Sequence, residues 1–413
     1  MRKTRLRDVV IGVAIAVVTL EATSLVVVFA LGQSLPKIWQ QQRGVGYGED
    51  PTGLRITAGR ALHDPIVPHP FVGYVYGTLV GPQRHGFFGD DIMKYGGPEN
   101  YNVVIIGGSV AANFWGDVHE LLADRLSRYR KTRGKKVNVF SFAVGGWHQP
   151  QQAMSVAYFL SVGAKIDLVL NIDGLNEAFI QIAQAQSSYS IYYPRDWPLL
   201  SDTMADVDRG ATMGWLQLAR RGRISGAQAT ETPPLRYSAT VSLLWYLSDR
   251  AAEKGTWMLV RKLQTSKGFA PYQVGYFRPM SEPEVFEQVA LVWARSSKLL
   301  FDLQRAGRGK YLHVLQPHPY VPNSKPLTAA EIAVTYRPDN QFARWARDGY
   351  RYLAGKKAFL EGSGVPFLDA TMVFKDVRED LYRDCCHFTK RGNEILMAEM
   401  LRSAERAGLF AAN

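Results

Sequence analysis

Four short runs of aliphatic and β-branched residues constrain this chain more than any other feature. They lie at 103–106, 137–144, 168–172 and 311–315, with a weaker fifth at 365–368. Stretches of helical character separate them, at 119–130, 149–162 and 286–306. Apolar runs of this length without polar alternation suit strands covered on both faces, and their alternation with helices predicts a parallel sheet. The expected fold class is therefore α/β. Functional side chains in such sheets gather at the carboxyl ends of the strands. A last amphipathic helix is expected over 390–409, where Ile395, Leu396, Met400 and Leu401 follow the 3.6-residue period.

The strand ends carry the chemistry-bearing residues. The first run, Val103-Val104-Ile105-Ile106, leads into Gly107-Gly108-Ser109, and Val110-Ala111-Ala112-Asn113 can open a helix. Glycines there let the backbone turn sharply, so the Ser109 hydroxyl projects near a helix N-terminus that favours developing negative charge. A phosphate-binding turn is the rival reading, but no Walker lysine follows and the dinucleotide glycine pattern is absent. The second run ends Ser141-Phe142-Ala143-Val144-Gly145-Gly146-Trp147. Gly146 either brings its N–H to an oxyanion or simply makes a turn. The third ends Asp173-Gly174-Leu175-Asn176-Glu177. The Asn176 amide can donate to an oxyanion, worth roughly 3 kcal/mol, or cap a helix. Asp173 and Glu177 read as structural hydrogen-bonding groups in preference to an acid/base pair. Asp384-Cys385-Cys386-His387 precedes the last helix, and positions three apart can share a face, so the Asp can hold the His ring.

In the order Ser, Gly, Asn, Asp-x-x-His, these motifs resemble those of the SGNH (GDSL-like) hydrolase superfamily. The resemblance covers about 101–180 and 311–409. It implies a three-layer, flavodoxin-like fold with five parallel strands, commonly ordered 2-1-3-4-5. It implies Ser109 as nucleophile, His387 as general base and Asp384 as its orienter. The Ser109 N–H, the Gly146 N–H and the Asn176 amide would form the oxyanion hole. The usual Gly-Asp-Ser-Leu reads Gly107-Gly108-Ser109-Val110 here, and Asn-Asp reads Asn176-Glu177. Neither departure removes a group the mechanism requires, and both place the chain in a divergent branch. Membrane-tethered bacterial relatives often add or remove acyl groups on exported polysaccharides or cell-wall polymers.

The N-terminus has a different character. Residues 9–31 are apolar except for Thr19, Glu21, Thr23 and Ser24, and they follow Arg2, Lys3, Arg5 and Arg7. About 20 such residues suffice to cross a bilayer. Positive charge before the span predicts a cytoplasmic N-terminus and a body outside it. Glu21, near the middle, is expected to be neutral or paired with another polar group. Val28-Phe29-Ala30 loosely resembles a signal-peptide cleavage site, but the stretch is long for one, which favours a retained anchor.

The expected organisation is a cytoplasmic tip and anchor over 1–32, a linker and irregular lead-in over 33–100, and a hydrolase-like domain over 101–413. Within the lead-in, 68–74 and 85–89 read as short turns and edge strands. Residues 181–285 break the strand–helix alternation and form a mostly helical insertion expected to lie over the sheet's active edge. It is rich in aromatics: Tyr189, Tyr192, Tyr193, Trp197, Trp215, Tyr237, Trp245, Tyr246, Trp257, Tyr272 and Tyr276. These are read as packing the insertion; an acyl- or glycan-binding lid and a surface resting on the membrane are the functional alternatives.

The formal charge of +12 includes the N-terminal cluster, and the rest reads as a solvated surface with a positive bias. No zinc-finger spacing, RNA-binding signature or basic arm points to nucleic acid. The two cysteines are adjacent, which disfavours a structural disulfide and a metal site alike. No metal or cofactor is expected, since nothing in the spacing of His313, His318 and His387 supports a metal site. His313 reads as a satisfied core histidine. Trp147, His148 and His318 are candidate pocket residues.

The expected function is an extracytoplasmic serine O-acyl esterase, deacetylase-like, acting on an acylated glycan or similar small ester. The expected location is a single-pass protein of the cytoplasmic membrane. An O-acyltransferase using the same groups, with a sugar hydroxyl in place of water, is the alternative. A noncatalytic polymer-binding protein on a hydrolase fold is a third.

Overall fold

The computed structural model describes residues 2–46, 66–76, 85–186, 190–195, 197, 207–265, 280–335 and 341–410. The chain forms two compact units. One is built from Met1–His63 and Pro198–Tyr272, the other from Asp64–Trp197 and Gln273–Asn413. Among the longer helices, in chain order, are α1 (Arg2–Ala30), α2 (Leu35–Gly46), α3 (Ser109–Ser127), α4 (Gln151–Ser161) and α5 (Val207–Thr230). They continue with α6 (Ala239–Thr265), α7 (Glu282–Ala306), α8 (Gln341–Ala354) and α9 (Lys390–Arg406).

The larger unit opens with an antiparallel ribbon, β1 (Ile66–His69) and β2 (Gly73–Tyr76). Its centre is a five-stranded parallel sheet of β3 (Asn100–Gly107), β4 (Lys136–Ala143), β5 (Leu168–Asp173), β6 (Lys310–Leu315) and β7 (Phe367–Asp369). The spatial order is β4-β3-β5-β6-β7, so the sheet's second strand in sequence lies outside its first. The five apolar runs are its strands, extended or displaced by one to three residues at their ends.

Side chains alternate between the two faces, as the pleat requires. Val103, Ile105, Leu170, Ile172, Leu312 and Val314 share one core with α3 and α9. On the opposite face Tyr311 meets Ser297 of α7, and His313 and Asp173 meet Trp293 of the same helix. Helices therefore cover both faces, which is why the strands read as continuous apolar runs.

The smaller unit packs α1 against α6, α2 against α5, and α5 against α6. The segment expected as a linker from residue 33 is instead helical over Leu35–Gly46. Ile38, Gln42 and Val45 recur at helical spacing, and Ile38 and Val45 join a cluster with Val28, Ala227, Leu243, Trp245 and Tyr246. Tertiary burial of a short amphipathic stripe thus overrides the polar composition. Residues 47–65 lie outside the described ones.

The expected insertion over 181–285 divides between the units: Pro198–Tyr272 groups with the N-terminal helices, and the remainder with the sheet. Trp245 and Tyr246 are buried, whereas Trp215, Tyr237 and Trp257 are exposed. Tyr189, Tyr272 and Tyr276 lie outside the described residues. In α1, Asp8–Ala30 is long and apolar enough to span a membrane, with a mean hydropathy of 2.3.

Candidate active site

Two glycines shape the end of β3. Gly107 has φ +149°, and a Cβ there would lie 2.0 Å from the Ile172 carbonyl oxygen of the neighbouring strand. At Gly108, the N-cap of α3, a Cβ would lie 2.1 Å from Asn176 Nδ2. The first glycine is therefore required by backbone conformation and strand contact, the second by a side-chain amide. Helix α3 begins at Ser109 itself, one residue before the Val110–Asn113 stretch expected to open a helix. The serine N–H thus belongs to the first helical turn, whose N–H groups have no intrahelical acceptor.

The Asp-x-x-His loop meets this serine. His387 Nε2 lies 2.8 Å from Ser109 Oγ, and His387 Nδ1 lies 2.7 Å from Asp384 Oδ2. Asp384 Oδ1 also accepts the backbone N–H groups of Cys386 and His387, each at 2.9 Å, which folds the loop back on itself. Burial would raise the Asp384 carboxyl. Its hydrogen bond and charge attraction to His387, with the two N–H donors, outweigh burial and hold it well below the usual carboxylate range. The intervening thiols are not joined in a disulfide: their sulfurs lie 3.4 Å apart, and Cys386 Sγ is 3.7 Å from His387 Nδ1.

Three tethers hold the loop. Glu331 Oε1 accepts the N–H groups of Leu381 (2.8 Å) and Tyr382 (3.0 Å), while its Oε2 accepts from Lys325 Nζ at 2.7 Å. The Lys325–Glu331 pair is buried. Just beyond His387, Thr389 caps α9. Asn393 of α9 then donates at 2.7 Å to Asp117 of α3, the helix that starts at Ser109.

The turns after β5 and β4, which carry Asn176 and Gly146, meet where the Asn176 amide reaches the carbonyl of Trp147. Asn176 makes no side-chain cap bond; its Nδ2 donates to the Trp147 carbonyl at 2.7 Å and packs against Gly108. One amide N–H is thereby fixed, and the second remains for another acceptor. Gly146 has φ +82°, a backbone state that suits glycine. Tyrosines of β2 hold its loop: Tyr74 Oη donates to the Gly145 carbonyl (3.2 Å), and Tyr76 Oη accepts the Gly145 N–H (3.0 Å).

Glu177 joins the two loops from below. One carboxylate oxygen accepts the Gln149 N–H at 3.0 Å, the other the Gly174 N–H at 2.9 Å. Burial, with the neighbouring Asp173 charge adding to it, raises its carboxyl well above the usual range. Asp173 accepts from Trp293 (2.7 Å) and Asn171 (3.0 Å), and its Oδ1 lies 2.9 Å from His313 Nε2. Both carboxylates sit in the interior as hydrogen-bond acceptors, and His313 is fully buried beside them.

Trp147, His148 and His318, the candidate pocket residues, are all fully buried, and each has a hydrogen-bond partner in the interior. Trp147 donates to the Tyr74 carbonyl, and His318 Nδ1 accepts the Tyr320 N–H. Burial pushes His148 down to about 4 and His318 down to about 3. The histidines that spacing disfavoured as a metal site have separate partners: His313 with Asp173, His318 with Tyr320, and His387 with Asp384 and Ser109.

The motifs did not disclose Tyr74, Tyr76, Asp117 or Glu331. No protein-family model matches the chain, and no curated protein sequence matches it either.

Proposed function

We propose that this chain is a serine O-acyl esterase of the SGNH (GDSL-like) type, in a divergent branch. It is anchored in the cytoplasmic membrane by α1, with its sheet unit on the far side, and it deacylates a glycan or similar ester. The observation that carries this reading is the line Asp384–His387–Ser109, with bonded separations of 2.7 and 2.8 Å. The parallel order with the second strand outside the first accords with the flavodoxin-like layout of that superfamily.

In this mechanism Asp384 accepts from Nδ1–H of His387, which leaves the Nε2 lone pair facing the Ser109 hydroxyl. The serine oxygen attacks the ester carbonyl while its proton passes to Nε2. The Ser109 N–H, the Gly146 N–H and the second N–H of Asn176 stabilise the resulting oxyanion. Collapse expels the alcohol, which takes the proton from His387 and leaves an acyl-serine. Water, deprotonated by the same nitrogen, then releases the acid and restores the serine.

The test is turnover of a small chromogenic acetate ester by the full chain and by its Ser109→Ala variant. We expect the variant to be slower by about 1000-fold or more. Equal turnover by the two proteins would refute the assignment of Ser109.

A further inference from the structure

Glu21 lies inside the apolar stretch Asp8–Ala30, where an unpartnered carboxylate facing lipid costs a few kcal/mol. The start of α6 meets it. The Glu21 carboxylate accepts from the Ser238 hydroxyl (2.5 Å) and from the backbone N–H groups of Ala239 (2.7 Å) and Thr240 (3.4 Å). The Ser24 and Thr240 hydroxyls are 3.0 Å apart. A carboxylate at a helix N-terminus is favourably placed, because the exposed N–H groups there carry partial positive charge.

From this contact α1 and α6 run side by side in the same direction, with Val28 packing in one cluster with Leu243, Trp245 and Tyr246. The inner face of α6 is buried at Ala239, Ser242, Leu243 and Tyr246. Its outer face is apolar and uncovered: Leu244 is 62% exposed and Leu247 46%, with Leu235 and Tyr237 exposed just before the helix. Past Leu247 the exposed positions are Ser248, Arg250, Ala251 and Lys254, a mostly polar band that precedes the exposed Trp257 and Met258. On α5, which packs beside α6, Arg223 pairs with Asp249, and no charge occurs from Ile224 to Thr230.

The heights agree. Glu21 precedes the end of the apolar stretch at Ala30 by about nine residues, roughly 14 Å of helix, and Ser238 precedes Leu247 by the same distance. The lipid-facing surface of α1 and the bare apolar face of α6 therefore end at one level.

We infer that residues 235–247 lie in the hydrocarbon of the bilayer, in the leaflet that α1 leaves at Ala30. The chain thus enters the membrane with a hairpin of α5 and α6 as well as with its N-terminal span. This rests on α1 being a membrane span. The start of α6 supplies Glu21 with hydrogen-bond partners, as intramembrane carboxylates require. Two charges belong to the turn and are the main cost of this placement: Glu231 is half-buried, and the Arg236 guanidinium lies 5.2 Å from the centre of the Tyr237 ring.

The test is photolabelling of the full chain in phosphatidylcholine vesicles that contain a phosphatidylcholine with a diazirine midway along one acyl chain. Adducts are mapped by peptide mass. We expect adducts both within α1 and within 235–247. A Leu244→Asp, Leu247→Asp double variant should lower the hairpin adducts about ten-fold and leave those on α1 unchanged. Labelling of α1 alone overturns the inference but leaves the anchor intact. Labelling of neither segment overturns the anchor, and the hairpin with it.

Discussion

At the scale of single residues, Gly108 and Asn176 form a matched pair. The glycine leaves room for the amide, because a Cβ at 108 would lie 2.1 Å from Asn176 Nδ2. Under the proposed mechanism Asn176→Ala removes one oxyanion donor and should lower kcat by about 100- to 1000-fold with KM little changed. Gly108→Ala should cost a comparable factor by displacing the same amide, and the double variant should be little slower than Asn176→Ala alone. Steady-state kinetics on a chromogenic acetate ester measures this; additive losses would show that Gly108 acts through something other than the amide. The meeting of Ser109, Asp384 and His387 was legible in the sequence because each sits beside a local signal, a glycine turn or an i, i+3 spacing. The burial of Trp147, His148 and His318 was not legible. Adjacency to a strand end places a backbone near the site but leaves the side-chain direction to packing.

At the scale of elements, the loop that carries His387 is held chiefly by groups distant in sequence. Glu331 is the centre of that attachment, with Lys325 on one oxygen and two backbone N–H groups on the other. Glu331→Ala leaves Lys325 buried without its carboxylate, and losses of this kind run to about 3–5 kcal/mol. We expect that loss in chemical unfolding, with a marked fall in the proposed esterase activity; an unchanged midpoint would show that the pair is dispensable. No motif disclosed Glu331, because its partners are main-chain groups that any sequence possesses. The same holds for Tyr74 and Tyr76, which grip the Gly145 backbone from a ribbon that reads as a mere lead-in. The strands were legible because burial on both faces leaves an unbroken apolar run. Helix α2 was not, since its apolar stripe is too narrow to stand out against Lys37, Gln40, Gln41 and Arg43.

At the scale of the whole molecule, buried titratable groups set the response to acid. His148 and His318 are held down at about 4 and 3 in the folded chain, whereas an unfolded chain takes up those protons near pH 6.5. Their contribution to stability is therefore complete above pH 6.5 and declines as pH falls toward 4, by up to roughly 3 kcal/mol for each. Burial acts to raise Glu331, but Lys325 and the loop N–H groups outweigh it and lower its carboxyl, so its contribution holds above about pH 4.5 and is lost below. Glu177, raised by burial, opposes the two histidines above about pH 4.5, so thermal unfolding should show the fall in Tm steepen below about 4.5, where Glu331 adds to them and Glu177 no longer opposes. His148→Gln and His318→Gln should flatten the upper part of that curve; an unaltered curve would assign it to other groups.

The distance along the chain between Ser109 and His387, 278 positions, has a consequence in time. The ribosome releases Ser109 and the loops of Gly146 and Asn176 long before it makes His387. Under the proposed mechanism, a polypeptide stopped anywhere short of residue 387 carries a serine without its base. The Ser109 hydroxyl would then gain its proton acceptor, and the chain its proposed activity, only late in synthesis.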